Sequence, residues 1–294
     1  MKLITWNVQW FCGLDGVVDI ARVLRSARAM ADFDVLCLQE VAVNYPRLRG
    51  DASHDQPARL GSLLPGFEVC FGAAVDELAA DGRSRQRFGN LIASRLPVAQ
   101  VQHHSLPWPA DAGLRSMPRM ATCATLLAPW GPLRVMTTHL EFYSPRMRLA
   151  QTQELRRLHA QASALALQPP LADDSGGPFQ AKRHTTDALV TADFNFEAGG
   201  PEYRLMLADN AEAQRLHDCW RLVHGERPHD PTFHLHDRTY GPLPIACDFI
   251  FASAALAPRV KRVEVDLQTR DSDHQPVLVE LDDKPQAKPP AARP

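Results

Sequence analysis

The chain has 294 residues, enough to bury a large core as one big domain or two ordinary ones. Its 45% hydrophobic and 22% charged content is that of a soluble globular protein and sets aside fibrous and disordered classes. A formal net charge of -2 provides no global basic field, so nucleic-acid or phosphate binding has to come from a local patch.

The N-terminal MKLITWNVQWFCG is apolar, but Asn7 and Gln9 interrupt it and no small-residue cleavage site follows. Leu3–Val8 therefore predicts a strand and not a leader. In Asp15–Ala31 the residues Val17, Ile20, Leu24 and Ala27 fall on one helical face. Short apolar runs then predict strands at Asp34–Gln39, Phe67–Phe71, Asn90–Ser94, Val98–His103, Ala121–Leu127 and Leu133–Thr138. A second helix is predicted over Pro145–Leu167, with Ser144 placed to cap it, Pro145 at its first position, and Leu149, Leu155, Leu158, Ala162 and Leu165 on one face.

The irregular stretch 168–186 (QPPLADDSGGPFQAKRHTT) predicts a mobile surface loop inside one domain. Further strands follow at Asp187–Ala192, Ala246–Ala252, Val260–Leu267 and Pro276–Leu281, with short helices at Pro201–Leu207 and His217–Val223. The Pro-rich residues 282–294 carry no apolar side chain larger than Ala beyond Asp282 and predict a disordered tail. Strands outnumber helices in mixed order, which predicts an α/β or α+β sandwich over residues 1–281. Six scattered cysteines without a C-x-x-C pair predict reduced, buried thiols. No run approaches the ~18 apolar residues of a membrane span. A soluble cytoplasmic protein is expected, and nothing points to an obligate protein partner.

The chemistry gathers where the strands end. Leu3–Trp6 leads to Asn7, DVLCLQ to Glu40, RVMTT to His139, and ALVTA to Asp193 with Asn195 two residues on. The last strand is preceded by Asp273 and His274. Taken singly, each has a bland reading: a strand end, an Asx turn, a satisfied core histidine. Asp248 resists that reading, because a carboxylate flanked by Ala246, Cys247, Phe249, Ile250 and Phe251 is costly to bury without a charged or protonated partner. A histidine is the natural one. Together these residues offer carboxylate and amide oxygens with no thiolate cluster, which suits magnesium better than zinc.

TWNV (5–8), LQE (38–40), FGNLIASRLPV (88–98), TTHLE (137–141), ADFN (192–195), CDFIFAS (247–253) and SDH (272–274) together resemble the endonuclease/exonuclease/phosphatase superfamily in order and spacing. The resemblance spans residues 1–281. It implies a four-layer α/β sandwich, with two mixed sheets face to face and helices outside. It also implies metal-assisted hydrolysis of a phosphodiester by in-line attack of an activated water. Carried over by position, Glu40 resembles the principal metal ligand, with Asn7 and Asp273 as further ligands. The cofactor implied is Mg2+, with Mn2+ a possible substitute. Asp193 resembles the residue that positions or deprotonates the water, and Asn195 the amide that holds the water or a phosphate oxygen. His274 resembles the phosphate-contacting histidine oriented by Asp248, and His139 a second phosphate-side histidine.

Two departures bear on the substrate. Gln9 stands where abasic-site endonucleases carry an Asp, and Ala192 precedes Asp193 where the family usually has Gly. THLEFYSPRMRLAQTQEL (138–155) is similar to a segment of tyrosyl-DNA phosphodiesterases. The expected substrate is nucleic acid or a nucleotide-like phosphoester; the alternatives are a small-molecule phosphatase, a tyrosyl-DNA-type enzyme and a sphingomyelinase-type phosphodiesterase. A catalytically dead binding module and a zinc protein using His234 and His236 are the competing classes. The aromatics Trp10, Phe11, Phe142, Tyr143 and Phe196 either stack on a base or aryl group or close the rim of the sandwich.

Overall fold

The structure, a computed structural model, describes residues 1–284. The first half of the chain forms β1 (Lys2–Asn7), α1 (Ile20–Met30), β2 (Val35–Tyr45), β3 (Ala52–Asp55), α2 (Gln56–Leu63), β4 (Glu68–Leu78) and β5 (Arg85–Ser94). Next come β6 (Val98–Ser105), β7 (Met120–Ala128), β8 (Gly131–His139), α3 (Pro145–Leu167), β9 (Ala188–Asp193) and α4 (Pro201–Leu207). The remainder is β10 (Leu216–Asp218), α5 (Cys219–His224), β11 (Asp248–Ser253), β12 (Val260–Val265) and β13 (Val277–Leu281).

One sheet runs β12-β13-β1-β2-β5-β4, with β3 beside β2; the other runs β10-β11-β9-β8-β7-β6. Each is mixed, because β1 with β2 and β8 with β9 pair in parallel while their flanking strands are antiparallel. Alternation along the strands explains the layering. Leu3, Val35, Cys37 and Val279 meet Val135, Leu189 and Ile250 between the sheets. Ile4, Trp6, Leu36 and Leu38 turn outward under α1 and α2. Met136, Val190, Phe249 and Phe251 turn outward under α3 and α4. Strands buried on both faces read as unbroken apolar runs, and the result is a four-layer α/β sandwich.

Several expectations change in detail. Helix α1 starts at Ile20 and not Asp15, because Asp19 caps it by accepting the Arg22 N–H, while Arg22 also pins Asp15 into the preceding turn. Val17 is consequently half exposed and lies off the buried face. In α3 the cap at Ser144 is as expected, but Met147, Gln151, Leu155 and Leu158 face inward and Leu149 outward. The predicted helix at 217–223 is strand β10 followed by helix α5 from Cys219 to His224, and β3 and α2 lie in a stretch without a predicted element. Residues 168–187 carry no helix or strand. All six cysteines are free and buried. The expectation of a disordered tail at 282–294 falls mostly on residues 285–294, outside the described ones. Among the described residues no helix is long and apolar enough to cross a membrane.

Strand β2 does not stop at Gln39. It continues through Glu40 to Tyr45, with a register shift against β5 between Leu38 and Val41. Glu40 sits in that bulge at φ 60, a left-handed conformation that costs a non-glycine residue about 1–3 kcal/mol. Opposite it, Gly89 pairs with Val41, and a Cβ there would stand 1.9 Å from the Gly72 carbonyl oxygen. Only glycine fits this crossing, and its neighbour Asn90 donates to the Met120 carbonyl of the second sheet. The GN pair of the sequence thus keeps the sheets in register beside the bulge.

Candidate active site

Parallel pairing at the centre of each sheet brings strand ends to the same rim. In the second sheet His139 pairs with Asp193, and Asp193 pairs with Asp248, so three polar residues stand in one row. Directly paired residues share a face, so the row presents as a unit. In the first sheet Asn7 pairs with Gln39, one residue before Glu40, and β13 is entered through Asp273 and His274. All eight residues singled out by the sequence lie at this rim. Six of them, Glu40, His139, Asp193, Asn195, Asp273 and His274, line one open cleft of about 230 Å³. Asn7 and Asp248 stand behind it.

Asp193 Oδ2 is where the two sheets meet. It accepts from Asn7 Nδ2 at 2.9 Å, and His139 Nε2 and His274 Nε2 approach at 3.3 and 3.5 Å. Its Oδ1 accepts the Asn195 backbone N–H at 3.0 Å. That Asx turn holds Asn195 at φ 53, where its side chain lies 3.0 Å from His139 Nε2 and donates to the Leu140 carbonyl.

The two histidines are tuned in opposite directions. His274 Nδ1 lies 2.9 Å from Asp248 Oδ2, its ring stacks on Phe233, and its carbonyl accepts the Trp6 indole N–H. Burial alone would neutralise it, but the carboxylates of Asp248 and then Asp193 prevail and push its pKa up to about 10. His274 is a cation at neutral pH. His139 is held down to about 3, first by burial and then by the Arg119 cation, so it is neutral and has one ring nitrogen free to accept.

Glu40 and Asp273 form an acidic pair, and Glu40 Oε1 also lies 3.7 Å from His139 Nδ1. Burial, then the charge of Asp273, pushes Glu40 up to about 7; burial also raises Asp273. Asn7 donates its Nδ2 to Glu40 at 3.2 Å as well as to Asp193, while its Oδ1 accepts the Gln9 N–H. A carbonyl oxygen keeps a second lone pair, so Asn7 remains available as an oxygen donor. Two mutually repelling carboxylates and an amide oxygen beside an open cleft are a donor set for a hard divalent cation. The residues present therefore fit such an ion.

Asp193, Cys247, Asp248 and His274 also offer donor atoms within 4.8 Å of one another. Asp248 is already bonded to the His274 cation there, and burial keeps the Cys247 thiol protonated by raising it well above its usual range. The positive charge of that group is the imidazolium itself, so Glu40 and Asp273 are the better place for a metal. His234 and His236, the zinc alternative, are engaged otherwise: His234 stacks on Phe233 and His236 pairs with the Leu267 carbonyl.

Several participants carried no assigned role in the sequence. Gln9 Nε2 donates to Asp273 Oδ2 at 2.8 Å, so the residue replacing an acid supports the ligand set and does not extend it. Ser272 Oγ donates to the Asn7 carbonyl, tying the last loop to β1. Arg119 lines the cleft beside Glu40 and His139 and pairs with buried Glu141. Its position at the mouth of β7, antiparallel to β8, places it near His139, a relation visible only once the strands are paired. Trp10, Phe88, Met117, Phe142, Tyr143, Phe233 and Tyr240 form the apolar wall, whereas Phe11 and Phe196 are buried in the layers.

The fold is the four-layer sandwich of a known class of phosphoesterases, and comparison with known proteins gives the family. A model of the Endonuclease/Exonuclease/phosphatase family matches residues 4–274, and the chain belongs to that family, whose members act on phosphoester bonds with a divalent metal. An endonuclease/exonuclease/phosphatase from Beutenbergia cavernae DSM 12333 is 25% identical at a TM-score of 0.65, covering 96% of this chain and 71% of that one. The mannosyl-6-phosphatase of Bacteroides thetaiotaomicron VPI-5482 is 17% identical at 0.65, covering 96% and 99%. TDP2 of D. rerio, complexed with single strand DNA product, is 18% identical at 0.61, covering 96% and 98%. No curated protein matches the chain.

Proposed function

We propose that this protein is a magnesium-dependent phosphodiester hydrolase, with manganese as a substitute, acting on nucleic acid or a nucleotide-like ester. One observation carries the reading. Asp193, His139, an Asp248-bonded His274 and the Glu40–Asp273 pair surround one cleft, with acceptors, donors and cation ligands facing each other. Glu40, Asp273 and Asn7 would hold the cation, which would supply neutralisation of charge on the phosphoryl oxygens and the leaving group. Asp193 takes the proton of the attacking water, and Asn195 orients that water or a phosphate oxygen. His274, fixed by Asp248, donates from Nε2 to the developing negative charge, and His139 assists from the other side. The aromatic wall favours an ester carrying a base or aryl group. Among the described residues Arg119 is the sole Lys or Arg lining the cleft, which favours a short or single-stranded substrate over a long duplex.

Residues 1–281 act as a single catalytic domain, and 168–186 is a mobile loop on it. Brief trypsin treatment is expected to cut first at Lys182 or Arg183 and leave activity in place; loss of activity with the first cut would reject the loop assignment. The function is tested with bis-p-nitrophenyl phosphate, plasmid DNA, single-stranded and 5′-tyrosyl oligonucleotides and p-nitrophenyl phosphate, each with magnesium, manganese or chelator. Diester hydrolysis that disappears in chelator is expected. Hydrolysis persisting in chelator refutes the metal role, and a preference for the monoester moves the protein to the phosphatase reading.

A further inference from the structure

The THLE motif contains a glutamate that the chemistry above does not use. Glu141 is fully buried: its Oε1 accepts the Tyr143 N–H at 2.9 Å, its own N–H donates to Gln151 Oε1, and its carbonyl accepts from Arg148. Its second oxygen, Oε2, lies 3.5 Å from Arg119 Nη2. Arg119 in turn is 7% exposed, and its Nε and Nη1 have no hydrogen-bond partner. Its backbone is fixed as well, since the carbonyl accepts the Leu106 N–H at 2.8 Å.

A guanidinium always carries its charge, and burying it with donors unsatisfied costs several kcal/mol. Nε and Nη1 are shut away from solvent, so what Arg119 offers the cleft that Glu40, His139 and Asp193 line is its Nη2 end, beside Glu141. Among the described residues it is the sole Lys or Arg there, beside three carboxylates, Glu40, Asp193 and Asp273. An anionic ester entering such a cleft meets three carboxylates, and the Arg119 guanidinium is a fixed positive charge beside them.

We infer that Arg119 grips a non-bridging oxygen of the scissile phosphate, and that Glu141 is the positioning residue that aims it. The assignment rests on the proposed phosphoesterase reading. Planar, weakly hydrated guanidinium donors suit phosphate oxygens, and a rigidly held counter-carboxylate removes the entropy of finding them. Gln151 at α3 and Tyr143 thereby link the helix entrance to the substrate. The sequence similarity over 138–155 acquires a physical role: it builds the seat of Glu141.

The test uses full-length protein, bis-p-nitrophenyl phosphate with magnesium, and inorganic phosphate binding by calorimetry. Arg119→Ala is expected to lower kcat/KM by ~10²–10³-fold, the typical loss of one preorganised donor. It should also weaken inorganic phosphate at least ~10-fold, the scale of a charge-assisted hydrogen bond. Millimolar guanidinium chloride should restore part of the Arg119→Ala rate and none of the Asp193→Ala rate. Glu141→Gln keeps the arginine and should raise KM more than it lowers kcat. A folded Arg119→Ala with unchanged phosphate affinity, or a slow one that guanidinium does not rescue, overturns the assignment. Should Arg119→Ala fail to fold, Arg119→Lys replaces it, and wild-type phosphate affinity in that variant overturns the guanidinium grip. If the wild type hydrolyses no ester yet binds phosphate through Arg119, the enzymatic reading fails while the anion site stands.

Discussion

His274 carries its charge because Asp248 stands 2.9 Å away, at the first residue of β11, with almost no exposure to water. That partnership was foreseeable from CDFIFAS, since a carboxylate amid Phe, Ile and Cys had to have a cation. Asp248→Asn should therefore remove the charge-holding acceptor while leaving the shape. The expected loss in kcat is ~10²–10³-fold. The double variant with His274→Ala should lose little more than His274→Ala alone, because two residues acting as one unit are not additive. Steady-state kinetics of the four proteins of that cycle decide the matter. Additive losses would mean that Asp248 acts independently of His274. Arg119 could not be foreseen in the same way. SMPRM reads as loop, and nothing local says that its guanidinium lacks partners. Residues misplaced within apolar runs announce themselves; residues that matter through a missing partner do not.

At the scale of elements, the strand ends were legible and the irregularities were not. Apolar runs end where Asn7, His139 and Asp193 begin, but the bulge at Glu40 leaves VAV running on beyond the acid, and no periodicity marks a residue at φ 60. Helix α3 shows a similar limit. Its polar His159 lies on the buried face, where Nδ1 accepts from Arg134 Nη2 at 2.6 Å and Nε2 donates to the Gln214 carbonyl at 2.8 Å. The first bond requires the neutral ring, because arginine only donates and Nδ1 must accept. Burial, then the Arg134 charge, holds this histidine down to about 4, whereas an unfolded chain titrates it near ~6.5. The folded value is depressed, so the unfolded chain binds the extra proton first as pH falls. The contribution is complete above ~6.5 and is lost progressively toward the folded value, amounting to roughly 3 kcal/mol at the acid end. Urea unfolding at pH near 7.5 and 4.5 should show this acid loss in the wild type and a shallower loss in His159→Gln. Equal slopes in the two proteins would remove His159 as the helix latch.

The whole molecule explains why the residues of the cleft and its rim had to be scattered over the sequence. Asn7, Glu40, Asp273 and His274 come from the first sheet and its loops, while His139, Asp193, Asn195 and Asp248 come from the second. The cleft exists only when the two sheets close on the shared core of Leu3, Val135, Leu189 and Val279. Closing them forces carboxylates together, and the raised Glu40 and Asp273 record that cost. A cation at the acidic pair reverses the sign of that contact, so metal binding and folding are linked. In chelator, Glu40→Gln should melt at a higher temperature than the wild type, since it removes one of the opposed charges without removing bulk. In magnesium the order should invert, with the wild type gaining about 2.7 kcal/mol when the ion is at a hundred times its dissociation constant. Glu40→Gln should gain far less. Melting curves of both proteins across a magnesium titration measure this directly, without reference to any substrate. Equal gains in the two would place the ion elsewhere, whereas a wild type that is the more stable in chelator would show that Glu40 stabilises the fold and not the site.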